Sequence, residues 1–113
     1  MFKVIYYKLE NGEIPVKNFI DSLPIKLQAK SLAGIALLQE KGTELRLPYS
    51  EHIKDGIFEL RIKFSNDITR IFYFFIKDKK IILTNGYVKK QQKIDTAELE
   101  KALKYKKDYE RRE

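Results

Sequence analysis

The stretch from Phe58 to Tyr87 reads FELRIKFSNDITRIFYFFIKDKKIILTNGY, and its three apolar segments decide the fold. In Phe58–Phe64, Phe58, Leu60, Ile62 and Phe64 alternate with Glu59, Arg61 and Lys63, the period of a strand with one face buried. Ile68–Ile76 is apolar at nearly every position, as a central strand covered on both faces requires. Ile81–Tyr87 supplies a third strand. Asn66-Asp67 and Asp78-Lys79-Lys80 fill the gaps with turn-forming residues. Connections this short join antiparallel neighbours, so the three strands are predicted to form a meander.

On the N-terminal side, Phe2–Leu9 is rich in Val, Ile and Tyr and reads as a further strand. Asn11-Gly12 supplies a turn. Pro15–Leu23 is predicted to be a short helix, because Val16, Phe19, Ile20 and Leu23 fall on one face. Pro24 ends it and opens a second helix, since a first-turn N–H has no helical acceptor to lose. That helix runs to about Lys41, where Gly42 offers a left-handed cap. Ile25, Ala29, Leu32, Ile35, Ala36 and Gln39 follow its long face and are expected to close a helical hairpin. Residues 42–56 hold Gly42, Pro48 and Asp55-Gly56 without a sustained period and read as a long, partly ordered loop. On the C-terminal side, Asp95 and Glu98 resemble a capping box. Leu99, Ala102 and Leu103 continue it as a helical stripe amid Lys and Arg. The expected order is β-α-α-β-β-β-α, an α+β fold in one domain over residues 1–113: an antiparallel meander sheet with an N-terminal helical hairpin and a C-terminal helix.

The 113 residues carry 23 Lys+Arg against 16 Asp+Glu, a net charge of +7. The excess is uneven: residues 1–76 hold 11 basic and 9 acidic side chains, residues 77–113 hold 12 and 7. That asymmetry suggests an anionic partner, nucleic acid or an acidic protein, with a merely solvated Lys-rich helix as the plainer reading. Without Cys, the chain has no disulfide, thiolate nucleophile or Cys-type zinc site, and a single His, His52, makes a His-rich metal site or Ser-His-Asp triad hard to build. No stretch approaches the ~20 apolar residues of a membrane span, and Lys3 and Lys8 interrupt any signal-peptide core. A cytoplasmic protein is expected, with no metal, cofactor or membrane role.

Glu59, Arg61 and Lys63 share one strand face, which on a small sheet is commonly just the solvent side. Arg70 stands in an otherwise apolar strand, so its guanidinium must either pair with a carboxylate, Glu59 being the neighbouring choice, or open into a cleft. Lys89, Lys90 and Lys93 follow the aromatic Tyr87 and could contact phosphates without reading bases. His52 sits beside Lys54 in the irregular loop, more readily a surface histidine than a working one. No Gly-rich phosphate loop, paired-Asp site or His-Glu-x-x-His motif is present. Such a set still permits RNA cleavage by a ribose 2′-OH attacking the adjacent phosphate. Arg and Lys would stabilise the phosphorane, crowding or desolvation would lower a Lys pKa, and Glu59 or His52 could accept a proton.

Phe58-Glu59-Leu60-Arg61, then Arg70-Ile71-Phe72-Tyr73, then Gly86-Tyr87-Val88-Lys89-Lys90-x-x-Lys93 and a capped helix with Glu98 and Ala102 resemble the RelE/ParE toxin superfamily. Leu47-Pro48-Tyr49-Ser50 and Lys54-Asp55-Gly56 are most similar to its HigB-like branch, related to phage-derived toxins. The resemblance covers almost the whole chain. It implies a toxin of a toxin–antitoxin module, an mRNA interferase that cleaves mRNA on the ribosome without metal and so inhibits translation. It implies that Arg61 and Arg70 contact the scissile phosphate, with Lys89 or Lys90 as the basic group after the last strand. Glu59 stands where some members carry a lysine thought to act as base. Gln91, Gln92, Ile94 and Asp95 depart from the Thr and Pro often found in that stretch of the family. His52, Lys54, Lys63, Tyr87 and Lys93 complete the expected RNA-contacting set. The expected partner is a helix-turn-helix, HigA-like antitoxin, as paired heterodimers that reach operator DNA only through the antitoxin. A ParE-like gyrase inhibitor and a non-catalytic RNA-binding module are the alternatives; the joint presence of Arg61, Arg70 and the Lys cluster favours the nuclease.

Overall fold

The computed structural model describes residues 1–89 and 93–113. Its strands are β1 (Lys3–Tyr6), β2 (Ser50–Lys54), β3 (Ile57–Phe64), β4 (Asp67–Ile76) and β5 (Lys80–Lys89), and its helices are α1 (Pro15–Asp21), α2 (Ile25–Lys41) and α3 (Thr96–Arg112), with a short 3-10 turn at Gly42–Glu44. The five strands form one sheet in the order β1-β5-β4-β3-β2. β3, β4 and β5 are the expected antiparallel meander, and β1 lies parallel to β5 at the edge. The fold is therefore α+β, with the hairpin of α1 and α2 on one face of the sheet and α3 on the other.

Three expectations need correction. The segment 42–56 is not a continuous loop, because it contains the 3-10 turn and β2. β2 has no legible alternation because it is an edge strand with Ser50 as its sole buried residue, and a register shift between His52 and Lys54 breaks its period. The packed face of α2 is also rotated from the expected one. Leu27, Ser31, Ile35 and Leu38 are buried, whereas Ile25 is 81% and Leu32 52% exposed. A polar residue, Ser31, on the inner stripe makes the outer stripe look more apolar. Gly34 sits against β3, where a Cβ would lie 3.1 Å from Ile62. The first strand is shorter than expected, ending at Tyr6.

β4 is buried from both sides, as a strand without alternation should be. Ile71 and Tyr73 join Leu60, Ile62, Ile81 and Leu83 beneath α1 and α2, while Phe72 and Phe74 join Ile57, Ile82 and Tyr7 beneath Ala102 of α3. Asp95 caps α3 by accepting a hydrogen bond from the Glu98 N–H at 3.1 Å, one half of the expected capping box. At the other end, Asp108 accepts from the Tyr7 hydroxyl at 2.5 Å and pairs with Arg112, whose guanidinium also reaches the Lys8 carbonyl at 2.8 Å. The Tyr7 hydroxyl, then Arg112, hold the Asp108 carboxyl down to about 2. This clamp seats α3 over one end of its face of the sheet and leaves the other end uncovered by any helix among the described residues.

A bulge in β5 shapes that uncovered end. Leu83 pairs with Tyr73 and Gly86 with Ile71, so Thr84 and Asn85 together oppose Phe72. At Gly86 a Cβ would lie 2.6 Å from the Phe19 ring and 2.9 Å from the Arg70 carbonyl oxygen. Gly86→Ala is therefore expected to cost about 1–3 kcal/mol by overpacking against an aromatic ring and a backbone atom, read as a lowered urea midpoint at unchanged slope. A midpoint equal to that of the parent would show that α1 does not press on this strand.

Candidate functional site

The register of the meander sets out the charges in rows. Arg61 lies opposite Arg70, and Arg70 opposite Tyr87. One row further from α3, Lys63 faces Ile68 and Ile68 faces Lys89. One row nearer, Glu59 faces Phe72, with Glu51 of β2 beside it. Directly opposite residues project from the same face, so four cations and two carboxylates share one surface. The β5 bulge decides this. Ile81 and Leu83 point toward α1 and α2, and without the extra residue Tyr87 and Lys89 would follow them.

Arg70 does not open into a cleft. It pairs with Glu59 across the neighbouring strands, and the two side chains are 6% and 1% exposed. Burial pushes the Glu59 carboxyl up, and the Arg70 guanidinium offsets this only in part. Glu59 Oε1 and Arg70 Nε find no hydrogen-bond partner among the described residues. Of the two possibilities that the sequence left open for Arg70, the structure takes the ion pair. Glu59, so enclosed, cannot touch a substrate as placed.

The accessible chemistry lies beside that pair. Arg61 is partly exposed, with the Glu51 carboxylate 4.0 Å away. Burial, then repulsion from Arg70, lowers the Lys89 ammonium below the usual lysine range, with Arg61 adding to the repulsion and Glu59 and Glu51 opposing it. Tyr87 packs its ring on Phe72 at 5.7 Å, and its hydroxyl accepts from the Asp95 N–H at 3.3 Å, tying β5 to the start of α3. Its burial raises the phenol pKa. Lys63 is exposed on the outermost row.

Arg61, Lys63, Arg70, Lys89, Tyr87 and Glu59 are thus brought together. His52 is not: it lies on β2, not in a loop, opposite Phe58, whose ring packs into the core beneath α1 and α2. The imidazole stands edge-on to that ring at 5.1 Å, and its Nε2 accepts from the Gly56 N–H at 3.4 Å. Lys54 pairs with Ile57 at the opposite end of β3 from Lys63. Lys93 is exposed ahead of α3, and Lys90 lies outside the described residues. Glu51 is the residue that sequence reasoning missed. Recognising β2 as a strand would have placed it beside Arg61. Among the described residues no group of three or more His, Asp or Glu side chains could hold a metal ion, and no helix is long and apolar enough to cross a membrane.

An antiparallel meander with a cation face, flanked by a helical hairpin and a capped C-terminal helix, makes this a mixed α+β domain. Residues 18–107 match the family described as Phage derived protein Gp49-like (DUF891), and the chain belongs to this family, one of the RelE-like toxin families. No curated protein matches the chain.

Proposed function

We propose that the protein is the HigB-like toxin of a toxin–antitoxin module and cleaves mRNA on the translating ribosome. The observation that carries this reading is the cation face, where Arg61, Lys63 and Lys89 stand around a buried Arg70 and the Lys89 ammonium is depressed. In the reaction a ribose 2′-oxygen bonds to the adjacent phosphorus and the 5′-oxygen leaves, giving a 2′,3′-cyclic phosphate and a free 5′-hydroxyl. Arg61 presents its planar fork to the non-bridging oxygens, where negative charge develops. Lys89 takes the 2′-proton, because a lowered pKa leaves more of it neutral near physiological pH, and the leaving oxygen is protonated from solvent. Arg70 is a positioning residue: it neutralises Glu59 and supplies the repulsion that helps depress Lys89. This differs from the direct phosphate contact expected for it.

The partner is a helix-turn-helix antitoxin, bound as paired heterodimers and carrying the toxin to operator DNA. The net charge of +7 speeds that encounter with an acidic segment. A domain of this size offers little base-reading surface, so the ribosome presents the codon. Primer extension tests the reading. New 5′ ends are expected on a translated mRNA and few on the same RNA untranslated. Equal cleavage of both removes ribosome dependence, and toxicity with intact mRNA and inhibited gyrase replaces the nuclease with a ParE-like inhibitor.

A further inference from the structure

Several concave features take no part in that reaction, and one of them adjoins the cation face. A groove of about 650 Å³ runs between α2 and the outer edge of β3, with Lys30, Ala33 and Leu37 on one side and Tyr49, Arg61 and Lys63 on the other. Its walls are mostly apolar; among the described lining residues three are cations and none is a carboxylate. The groove exists because β2 leaves β3 early. The paired register ends at Ser50 and Leu60, and the last link is the Arg61 N–H donating to the Tyr49 carbonyl at 2.8 Å. Among the described residues, Ile62–Phe64 therefore have no strand on their outer side. Ladder alternation turns the Lys63 N–H and C=O toward that opening, where they can meet the edge of a ligand.

Tyr49 is held by its backbone and free in its side chain. Its N–H donates to the Arg46 carbonyl at 2.9 Å and its carbonyl accepts from Arg61, while the residue remains 51% exposed. An aromatic platform fixed in this way, rimmed by cations, is what stacks an unpaired base while its phosphates are neutralised. Arg61 and Lys63 line the groove and also belong to the cation rows, so an RNA strand whose phosphate meets Arg61 carries a neighbouring base to the mouth of the groove. The exposed large apolar residues of α2, Ile25 and Leu32, do not line it, which favours a base over a partner helix here.

We propose that this groove takes the unpaired base next to the scissile phosphate, stacked on Tyr49, with Lys30 and Lys63 against the flanking phosphates. The inference rests on the mRNA-nuclease reading. It makes Tyr49 a determinant of which nucleotide is tolerated beside the cut. The test is primer extension on one translated mRNA with the parent protein, Tyr49→Ala, Tyr49→Phe and Ala33→Glu, each checked for folding by urea melting. Tyr49→Ala should slow cleavage by about 5- to 150-fold, the range that base–aromatic stacking supports, and should flatten the base preference at one position beside the cut. Tyr49→Phe, which keeps the ring, should recover most of that loss. Ala33→Glu, on an exposed helix position, should act like Tyr49→Ala by placing a carboxylate in the groove, and it decides the matter if Tyr49→Ala fails to fold. Folded variants that cut the same sites at the parental rate overturn the proposal and leave the groove to a protein segment. If the parent protein itself leaves translated mRNA intact, the nuclease reading fails and the base site fails with it.

Discussion

Arg70→Ala is expected to destabilise the protein by about 3–5 kcal/mol, because it strands a buried carboxylate without its partner. The cost arises from the charge left on Glu59, 1% exposed, more than from packing around the guanidinium. The pH dependence identifies the cause. Burial already raises the Glu59 pKa in the folded protein, and removing Arg70 raises it further. A carboxyl whose folded pKa lies above its unfolded value contributes stability that is complete below the unfolded pKa of about 4.3 and is lost as pH rises through the folded pKa. The deficit of Arg70→Ala should therefore be largest near neutral pH and shrink toward pH 4. Glu59→Gln in the same background should recover part of it by removing the charge. Urea melting across pH measures both effects. A variant as stable as the parent at pH 7, or a deficit that grows on acidification, would show that the pair is not what holds this part of the sheet.

Arg61→Ala should behave in the opposite way. Arg61 is partly exposed and its nearest carboxylate, on Glu51, is 4.0 Å away, a separation at which an ion pair contributes little to stability. Its removal should change stability by no more than about 0.5 kcal/mol, yet slow cleavage by about 10²–10³, the usual loss of one donor to a developing oxyanion. Lys107→Ala, on the exposed flank of α3, should leave the rate unchanged. Quantified primer extension with a parallel urea melt separates the outcomes. A folded Arg61→Ala protein that cuts at the parental rate would remove Arg61 from the phosphate.

The sequence carries the meander plainly, because a half-buried strand, a fully buried strand and short turn-rich gaps each leave a distinct pattern. α3 is equally legible through Asp95, Glu98 and the stripe around Ala102. Alternation alone also places Arg61 with Glu59 and Lys63. Three features lie beyond it. β2 is an edge strand with a register shift, so it leaves neither period nor apolar content, and His52 and Glu51 are misplaced or missed with it. Ser31 disguises the packed stripe of α2. Most consequentially, the extra residue at Thr84–Asn85 changes which face receives Tyr87 and Lys89, and nothing in a single sequence marks a bulge that flips the end of a strand. The choice between an open Arg70 and one paired with Glu59 depends on side-chain packing, which the sequence could frame only as alternatives.

The central claim is that the cation face promotes attack by a ribose 2′-oxygen on mRNA engaged by the ribosome. The ends left on a translated mRNA test it most directly. Cleavage by this route leaves a 2′,3′-cyclic phosphate on the upstream fragment and a free 5′-hydroxyl on the downstream one, which polynucleotide kinase can label without prior phosphatase treatment. Downstream fragments bearing a 5′-phosphate, or a translated mRNA left without new ends, would contradict it.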